Sequence, residues 1–340
     1  MTCALCKERE ANKKNTHFLT DGIIRSCLNL DGSREREKGF YFDLSNDNAF
    51  IEFNFQRGTS IDKLKSSLGR EVTEEEIEKA KSIPFSVDNV FCDVCENYFT
   101  ETEGKFISEI LPSFRNTDLT DKGTINLIDI KTVRLFFYIQ VWRTAICDDT
   151  LKLLDDTAEN LRQIILNHKT VDTNEIKNYP LAITYLQTIG DEAEYTTNYV
   201  GFTSDRNPNL IIMNDFVIQF YESPDTVSFF DFYGLTTEEN YKQFINLNEE
   251  HFVVNIFPND RRKQFLLDFI KSERVKKTIQ YYADRFGELW LKLFGVHPPI
   301  QTTQEYLQAL TSGDEFNVLK YTKENVLEVT VKFVQKKINQ

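Results

Sequence analysis

The chain has 340 residues, of which 41% are hydrophobic and 27% charged, and its net charge is −13 at neutral pH. This composition is typical of a soluble globular protein of two domains, and the acidic balance excludes a general nucleic-acid-coating protein, which must be basic to neutralise phosphates. No apolar run approaches the roughly 20 residues that cross a membrane. The polar opening MTCALCKERE is unlike a secretory signal, so we expect a cytoplasmic protein.

Four of the six cysteines form two pairs, each with two residues between its members. The pairs are Cys3 with Cys6, and Cys92 with Cys95. Each turn of this kind aims two thiolates at one point, and two turns complete a tetrahedral zinc site. The pattern therefore predicts one structural zinc ion, with disulfides or chance pairing as the alternative. Cys27 and Cys147 have no such partner and are expected to be small buried apolar residues.

The long segment between the two cysteine pairs is expected to fold into its own elements. Two stretches of alternating apolar and polar residues, Phe40–Leu44 and Phe50–Phe55, flank a polar turn and predict a β-hairpin. Residues 60–82 have charged helical periodicity, with a capping box from Thr73 to Glu76, and predict a helical insertion. The second cysteine pair then opens a helix.

Residues 1–106 resemble the zinc-bound HNH endonucleases (ββα-metal or His-Me finger) of bacteria. The stretches that carry the resemblance are CALC at 3–6, NTHFL at 15–19 and DNVFCDVCE at 88–96. The resemblance implies a treble-clef zinc finger, a catalytic Mg²⁺ or Mn²⁺, and a nucleic-acid substrate, either DNA or RNA. It also implies that His17 is the general base, that Asn89 orients this base, and that Glu96 is a metal ligand.

Two functions follow from these residues. The first is a metal-dependent endonuclease, acting in bacterial anti-phage defence and controlled by the C-terminal domain, a protein partner or homo-oligomerisation. The second is a non-catalytic zinc-stapled protein that serves as an interaction module or sensor. The second function is favoured by departures from the HNH pattern, since Thr16 precedes the histidine and no proline follows it.

The rest of the chain predicts a separate α+β domain over residues 107–340. Together with the N-terminal zinc-binding domain at residues 1–106, it gives a protein of the α+β class. Helices are expected in 107–170, including an apolar helix at 128–147 and another at 148–167. Arg143 lies in the apolar helix and needs a buried acidic partner, such as Asp148.

The following segment, 180–257, reads as an antiparallel sheet. A hairpin turn is expected at Asn214-Asp215, and further strands at 226–234 and 251–259. Residues 260–340 are expected to be helical. Residues 260–277 are the most basic stretch, which we interpret as a solvated helix face in preference to a nucleic-acid contact.

Overall fold

The computed structural model describes residues 1–25, 40–43, 52–55, 60–79, 83, 85–170, 179–188, 199–204, 208–227, 235, 241–247, 250–269, 276–313 and 322–339. The chain forms two compact units. The first unit comprises Met1–Phe40 and Phe55–Leu266, and the second comprises Tyr41–Asn54 and Leu267–Gln340. The sequence-based division at residue 106 stays a prediction. Cys27 and the strand predicted within 226–234 fall wholly or mainly outside the described residues.

The N-terminal part of the chain alternates short strands and helices. In order, these are β1 (Thr16–His17), α1 (Asp21–Ile24), β2 (Phe40–Asp43), β3 (Glu52–Phe55), α2 (Ile61–Leu68), α3 (Glu74–Lys79), β4 (Ser86–Val87) and α4 (Asp93–Lys105). Strands β2 and β3 pair with each other, as predicted. The predicted capping box is also confirmed, because the Glu76 N–H donates to Thr73 Oγ1 at 3.2 Å and the Thr73 N–H donates to the Glu76 carboxylate at 2.9 Å.

Helix α4 continues into a wider π-type turn, which runs directly into helix α5, and a strand and two longer helices follow. The π-type turn spans Phe106–Ile110 and is followed by α5 (Leu111–Arg115), β5 (Thr124–Leu127), α6 (Ile130–Cys147) and α7 (Asp155–Leu166). The predicted start of α7 at residue 148 is wrong. The Asp148 side chain accepts hydrogen bonds from the Thr150 N–H and hydroxyl, at 2.9 and 2.5 Å, and such local bonds compete with helix formation.

A seven-stranded sheet forms the centre of the first unit. After β5, its strands are β6 (Leu181–Leu186), β7 (Val200–Ser204), β8 (Asn209–Met213), β9 (Phe216–Phe220), β10 (Ile245–Asn246) and β11 (Phe252–Phe257). The strand order is β5-β11-β6-β9-β8-β7, and β10 pairs with β6. The predicted hairpin is confirmed, since β8 and β9 pair antiparallel around Asn214, whose φ of 56° suits asparagine in a tight turn.

The prediction of a wholly antiparallel sheet over 180–257 is wrong in two respects. Strand β11 runs parallel to β6, with Val254 opposite Ile183, because the chain after β9 crosses to the other side of β6. Strand β5 also belongs to the sheet, although its residues lie in the region expected to be helical. It has only four residues on the edge of the sheet, too few for a clear alternating pattern.

Helix α6 is buried between the sheet and helix α4, which carries Cys95. Phe137 meets Phe216 of β9 edge-on, with ring centroids 5.8 Å apart, and Phe106 stacks on Phe136 at 3.8 Å. A helix that is apolar on all sides is expected to be buried, and the few polar residues of α6 must then find partners inside the protein. Within the described residues, no helix has the length and apolar character needed to cross a membrane.

The second unit contains a small helical bundle. Its helices are α10 (Lys276–Phe294), α11 (Ile300–Thr311) and α12 (Lys323–Ile338), which follow α8 (Tyr241–Phe244) and α9 (Asn259–Phe269) in the chain. The bundle core is aromatic, with Phe286 stacked on Tyr306 at 4.2 Å between ring centroids. These helices lie close to the predicted positions.

Candidate metal centre

The four paired cysteines come together in the first unit. All four are buried and free of disulfides, and their Sγ atoms all lie within 4.8 Å of one another. A zinc–sulfur bond of about 2.3 Å places the sulfurs of a tetrahedral site about 3.8 Å apart, so a small contraction around an ion satisfies this geometry. The cluster can therefore hold a metal ion such as zinc.

The backbone around each pair explains why the thiols converge. In the first turn, the Lys7 N–H donates to the Cys3 carbonyl at 2.9 Å, and Lys7 takes a left-handed φ of 57° that reverses the chain. In the second turn, Cys92 precedes the first residue of α4 and Cys95 lies in its first turn. The Cys92 N–H donates to Cys3 Sγ at 3.3 Å and ties the two turns together.

The chemistry of the donors fits zinc. Burial raises the pKa of the Cys3 and Cys95 thiols. Burial also acts on Cys6, but the backbone amides of Arg9 and Glu8 outweigh it and lower the pKa to about 7. Buried thiolates need a compensating cation, and an all-sulfur donor set selects a soft or borderline ion such as Zn²⁺ over Mg²⁺ or Ca²⁺.

Helix α7 supports the first cysteine turn from outside. The Arg162 guanidinium donates to the carbonyl of Leu5, between the two cysteines, and pairs with Glu159 at 2.6 Å. Glu159 also accepts a hydrogen bond from Lys7 at 2.7 Å. Helix α7 therefore holds the short turn at two points, the Leu5 carbonyl and the Lys7 side chain.

We expect Arg162→Met to weaken zinc retention without removing a ligand. The Leu5 carbonyl would lose a buried donor, and outer partners of metal sites are worth about 10–100-fold in affinity. Zinc release to a chromogenic chelator should become about tenfold faster. Lys169→Met is the matched control, because the Lys169 pair with Glu101 is exposed. Equal release rates for both variants would contradict this role of Arg162.

His17 lies on a second, smaller sheet next to the cysteine turns. Strand β1 pairs antiparallel with β4, with His17 opposite Ser86, and the His17 side chain is 25% exposed. Its Nε2 lies 4.0 Å from Asp21 Oδ1, and the other oxygen of Asp21 pairs with Arg25. Sequence reasoning missed Asp21, although its position four residues after His17, at the start of a helix, places it on the same side.

Asn89 occupies the turn between β4 and the second cysteine pair. It has a left-handed φ of 58°, which asparagine tolerates better than most residues, and its N–H donates to the Lys13 carbonyl at 2.7 Å. The side chain is exposed. The structure thus places Asn89 in the backbone framework around the cysteine cluster, and its role in orienting His17 stays a prediction.

Glu96 follows the last cysteine and points towards α6. Its Oε1 lies 3.8 Å from Arg143 Nη2, and within the described part of the chain its Oε2 is buried without a hydrogen-bond partner. Burial raises the pKa of the Glu96 carboxyl, the Arg143 charge lowers it, and the nearby Glu103 raises it further. Arg143 therefore finds its acidic partners on α4, and the predicted partner Asp148 is not the one observed.

Glu103 gathers three hydrogen bonds on one oxygen. Its Oε1 accepts from Thr20 Oγ1 at 2.8 Å, from Arg143 Nη1 at 2.9 Å and from Gln140 Nε2 at 3.3 Å. Sequence reasoning missed Thr20 and Gln140. Gln140 and Arg143 are three residues apart in an apolar helix, and this spacing on one face was the available signal of a shared buried partner.

The described residues contain no second group of three His, Cys, Asp or Glu side chains whose ligand atoms all approach within 4.8 Å. His17 and Glu96 thus do not join a further acidic side chain in a ready-made second metal site.

The identity of the chain was tested by comparison. No protein-family model, curated protein or solved structure matches it. The function must therefore be argued from the site alone.

Proposed function

We propose that the protein is an HNH-like endonuclease that hydrolyses phosphodiester bonds in DNA or RNA, with the four-cysteine zinc site as its structural frame. The observation that carries the proposal is the position of His17, a partly exposed imidazole beside the Asp21 carboxylate on the two-stranded β1–β4 sheet next to the cysteine cluster. The order of cysteine turn, paired strands and cysteine-bearing helix resembles that of a treble clef, and this resemblance supports the proposal.

The proposed chemistry assigns proton transfer to His17. An imidazole can accept a proton from water near neutral pH. With the Asp21 carboxylate beside Nε2, the accepting atom would be Nδ1, which is buried in this structure and must become accessible when the substrate binds. The 4.0 Å separation from Asp21 is compatible with this role, because catalytic hydrogen bonds often tighten only when the substrate is bound.

A catalytic Mg²⁺ or Mn²⁺ has weaker support in these residues. Glu96 offers one buried carboxylate oxygen without a partner in the described structure, and oxygen ligands suit such ions. Since no set of three ligands accompanies it among the described residues, we assign no step of the reaction to this ion.

The charge of the protein bears on how it would meet its substrate. A net charge of −13 repels nucleic acid over most of the surface, so we propose that a protein partner or self-association delivers the substrate. In a bacterial host, a nuclease restrained in this way would suit anti-phage defence.

The test is cleavage by the full-length zinc-loaded protein, with single- and double-stranded DNA and RNA, in Mg²⁺ or Mn²⁺. We expect His17→Ala to lower the cleavage rate about 10²–10⁴-fold, the usual contribution of a general base, while zinc content is unchanged. His297→Ala is the control, because His297 is an exposed histidine in the second unit. Cleavage by His17→Ala at the parent rate would remove His17 as the base.

A second function, a non-catalytic zinc-stapled interaction protein, is favoured by one specific observation. Arg143 already lies against two carboxylates of α4, at 3.8 Å from Glu96 and 2.9 Å from Glu103, as in a purely structural ion cluster. Absence of cleavage by the parent on every substrate, alone and with host-cell lysate, would favour this function.

A further inference from the structure

The residue that fixes the chain just after His17 is Thr20, which is buried. Its N–H donates to Gln140 Oε1 at 3.0 Å and its hydroxyl donates to Glu103 Oε1 at 2.8 Å. These two acceptors come from different helices, Gln140 from α6 and Glu103 from α4. The backbone and the side chain of one threonine are thus held by two separate elements.

The two acceptors also orient each other. Gln140 Nε2 donates to Glu103 Oε1 at 3.3 Å, so the oxygen end of the Gln140 amide must face the Thr20 N–H. Arg143 Nη1 donates to the same Glu103 oxygen at 2.9 Å, and its guanidinium lies 4.5 Å above the Phe99 ring. Gln140 and Arg143 therefore hold the Glu103 carboxylate in place independently of Thr20.

His17 is held on both sides along the chain, by the pairing of its own strand β1 with β4 and by the anchor at Thr20. Strand β1 fixes its backbone against Ser86, and Phe18 is held by its N–H bond to the Phe85 carbonyl at 2.8 Å and by edge contact with Phe202. Asp21, the neighbour of the imidazole, follows Thr20 directly. Movement of Thr20 would therefore change the distance between His17 and Asp21.

We propose that Glu103, together with Gln140, is a positioning residue that acts through Thr20 to set His17 against Asp21. This inference rests on the proposed function for its catalytic meaning. Glu103 is assigned no contact with substrate, because its Oε1 is taken up by Thr20, Gln140 and Arg143. Helix α4 would then align the base as well as supply Cys95 to the cysteine cluster.

The test breaks only the link between Glu103 and the His17 segment. Thr20→Val keeps the shape and loses the hydroxyl, and Thr20→Ser keeps the hydroxyl and should rescue its function. We expect Thr20→Val to lower kcat about 30–100-fold with KM within about twofold, since misplacement by about 1 Å costs on the order of 100-fold. Thr102→Val is the matched control, because Thr102 is a buried threonine one residue from Glu103 whose hydroxyl donates to the Tyr98 carbonyl of its own helix at 3.3 Å.

A second readout does not depend on catalysis. The rate of His17 modification by diethyl pyrocarbonate, followed by peptide mass spectrometry, should rise about threefold or more in Thr20→Val, because loss of the anchor opens the segment locally. His297 in the same samples is an internal reference. Thr20→Ser and Thr102→Val should modify like the parent.

The outcomes separate the two proposals. If the parent cleaves nothing, the proposed function fails, while the modification rates still decide the positioning of His17. Equal kcat and equal modification rates for Thr20→Val and the parent would overturn the inference. A loss of kcat and a rise in His17 modification in Thr20→Ser as large as those in Thr20→Val would overturn it as well. Should Thr20→Val lose its fold or its zinc, Gln140→Met tests the other bond to Thr20, with the same expected rise in His17 modification.

Discussion

Replacing Cys92 with serine is expected to remove zinc and to unfold the region around it. A serine oxygen is a poor ligand for zinc at neutral pH, and three remaining thiols would be left buried without a cation. In small zinc domains the apparent binding free energy is about 10–16 kcal/mol and acts as folding free energy. We therefore expect zinc content to fall from about one ion per chain to near zero.

The measurement is elemental analysis combined with hydrogen exchange. Amides of residues 1–25 and 85–106 should lose protection, since backbone bonds such as Ala4 N–H to Val90 O join these segments around the cluster. Cys147→Ser is the control, because Cys147 is a free, largely buried cysteine outside the cluster. A Cys92→Ser protein with full zinc content would show that the four thiols are not the ligand set.

Replacing Arg143 with methionine is expected to destabilise the first unit by about 3–5 kcal/mol, the usual cost of removing one partner of a buried ion pair. Methionine fills the space, but the carboxylates of Glu96 and Glu103 lose their cation. The arginine side chain is only 1% exposed, so water cannot take over its role. Contact with the Phe99 ring is lost as well.

Urea unfolding can isolate this effect. The chain has two tryptophans, and a Trp290→Phe background leaves Trp142, whose ring lies 6.4 Å from Phe99, as the reporter of the cluster. Adding Glu103→Gln to Arg143→Met should cost less than the sum of the single changes, because the two groups interact directly. Additive costs would contradict a shared cluster.

Arg285→Met provides the matched control for an arginine in an exposed ion pair. Arg285 pairs with Glu288 at 2.8 Å, and both side chains are more than half exposed. Such pairs contribute about 0–1 kcal/mol. A loss of stability as large as that of Arg143→Met would show that the environment of the arginine is not the cause.

The sequence predicted the features that depend on local spacing. Paired cysteines, the Thr73–Glu76 capping box and the turn at Asn214 each need only a few neighbouring residues, and each occurs in the structure. The need of Arg143 for a buried acid was also predictable, because an isolated charge inside an apolar helix is unfavourable.

The features that the sequence did not predict depend on distant segments. Nothing near Arg143 identifies Glu103 as its partner, since Asp148 also carries a carboxylate and is closer in the chain. The two acceptors of Thr20 lie 83 and 120 residues away. The parallel pairing of β11 with β6 likewise depends on which side of the sheet the chain returns to, and the strand pattern is the same for either side.

The separation of the two halves of the zinc centre has a consequence for insertions. The segment between Cys6 and Cys92 leaves the centre after β1 and α1 and returns at β4, where the two-residue strands meet. The entropy of closing a loop grows only logarithmically, so doubling its length costs about 0.6 kcal/mol. The chain could therefore gain or lose whole elements between α1 and β4, even an additional binding module, while the cysteine cluster that joins the two ends kept its geometry.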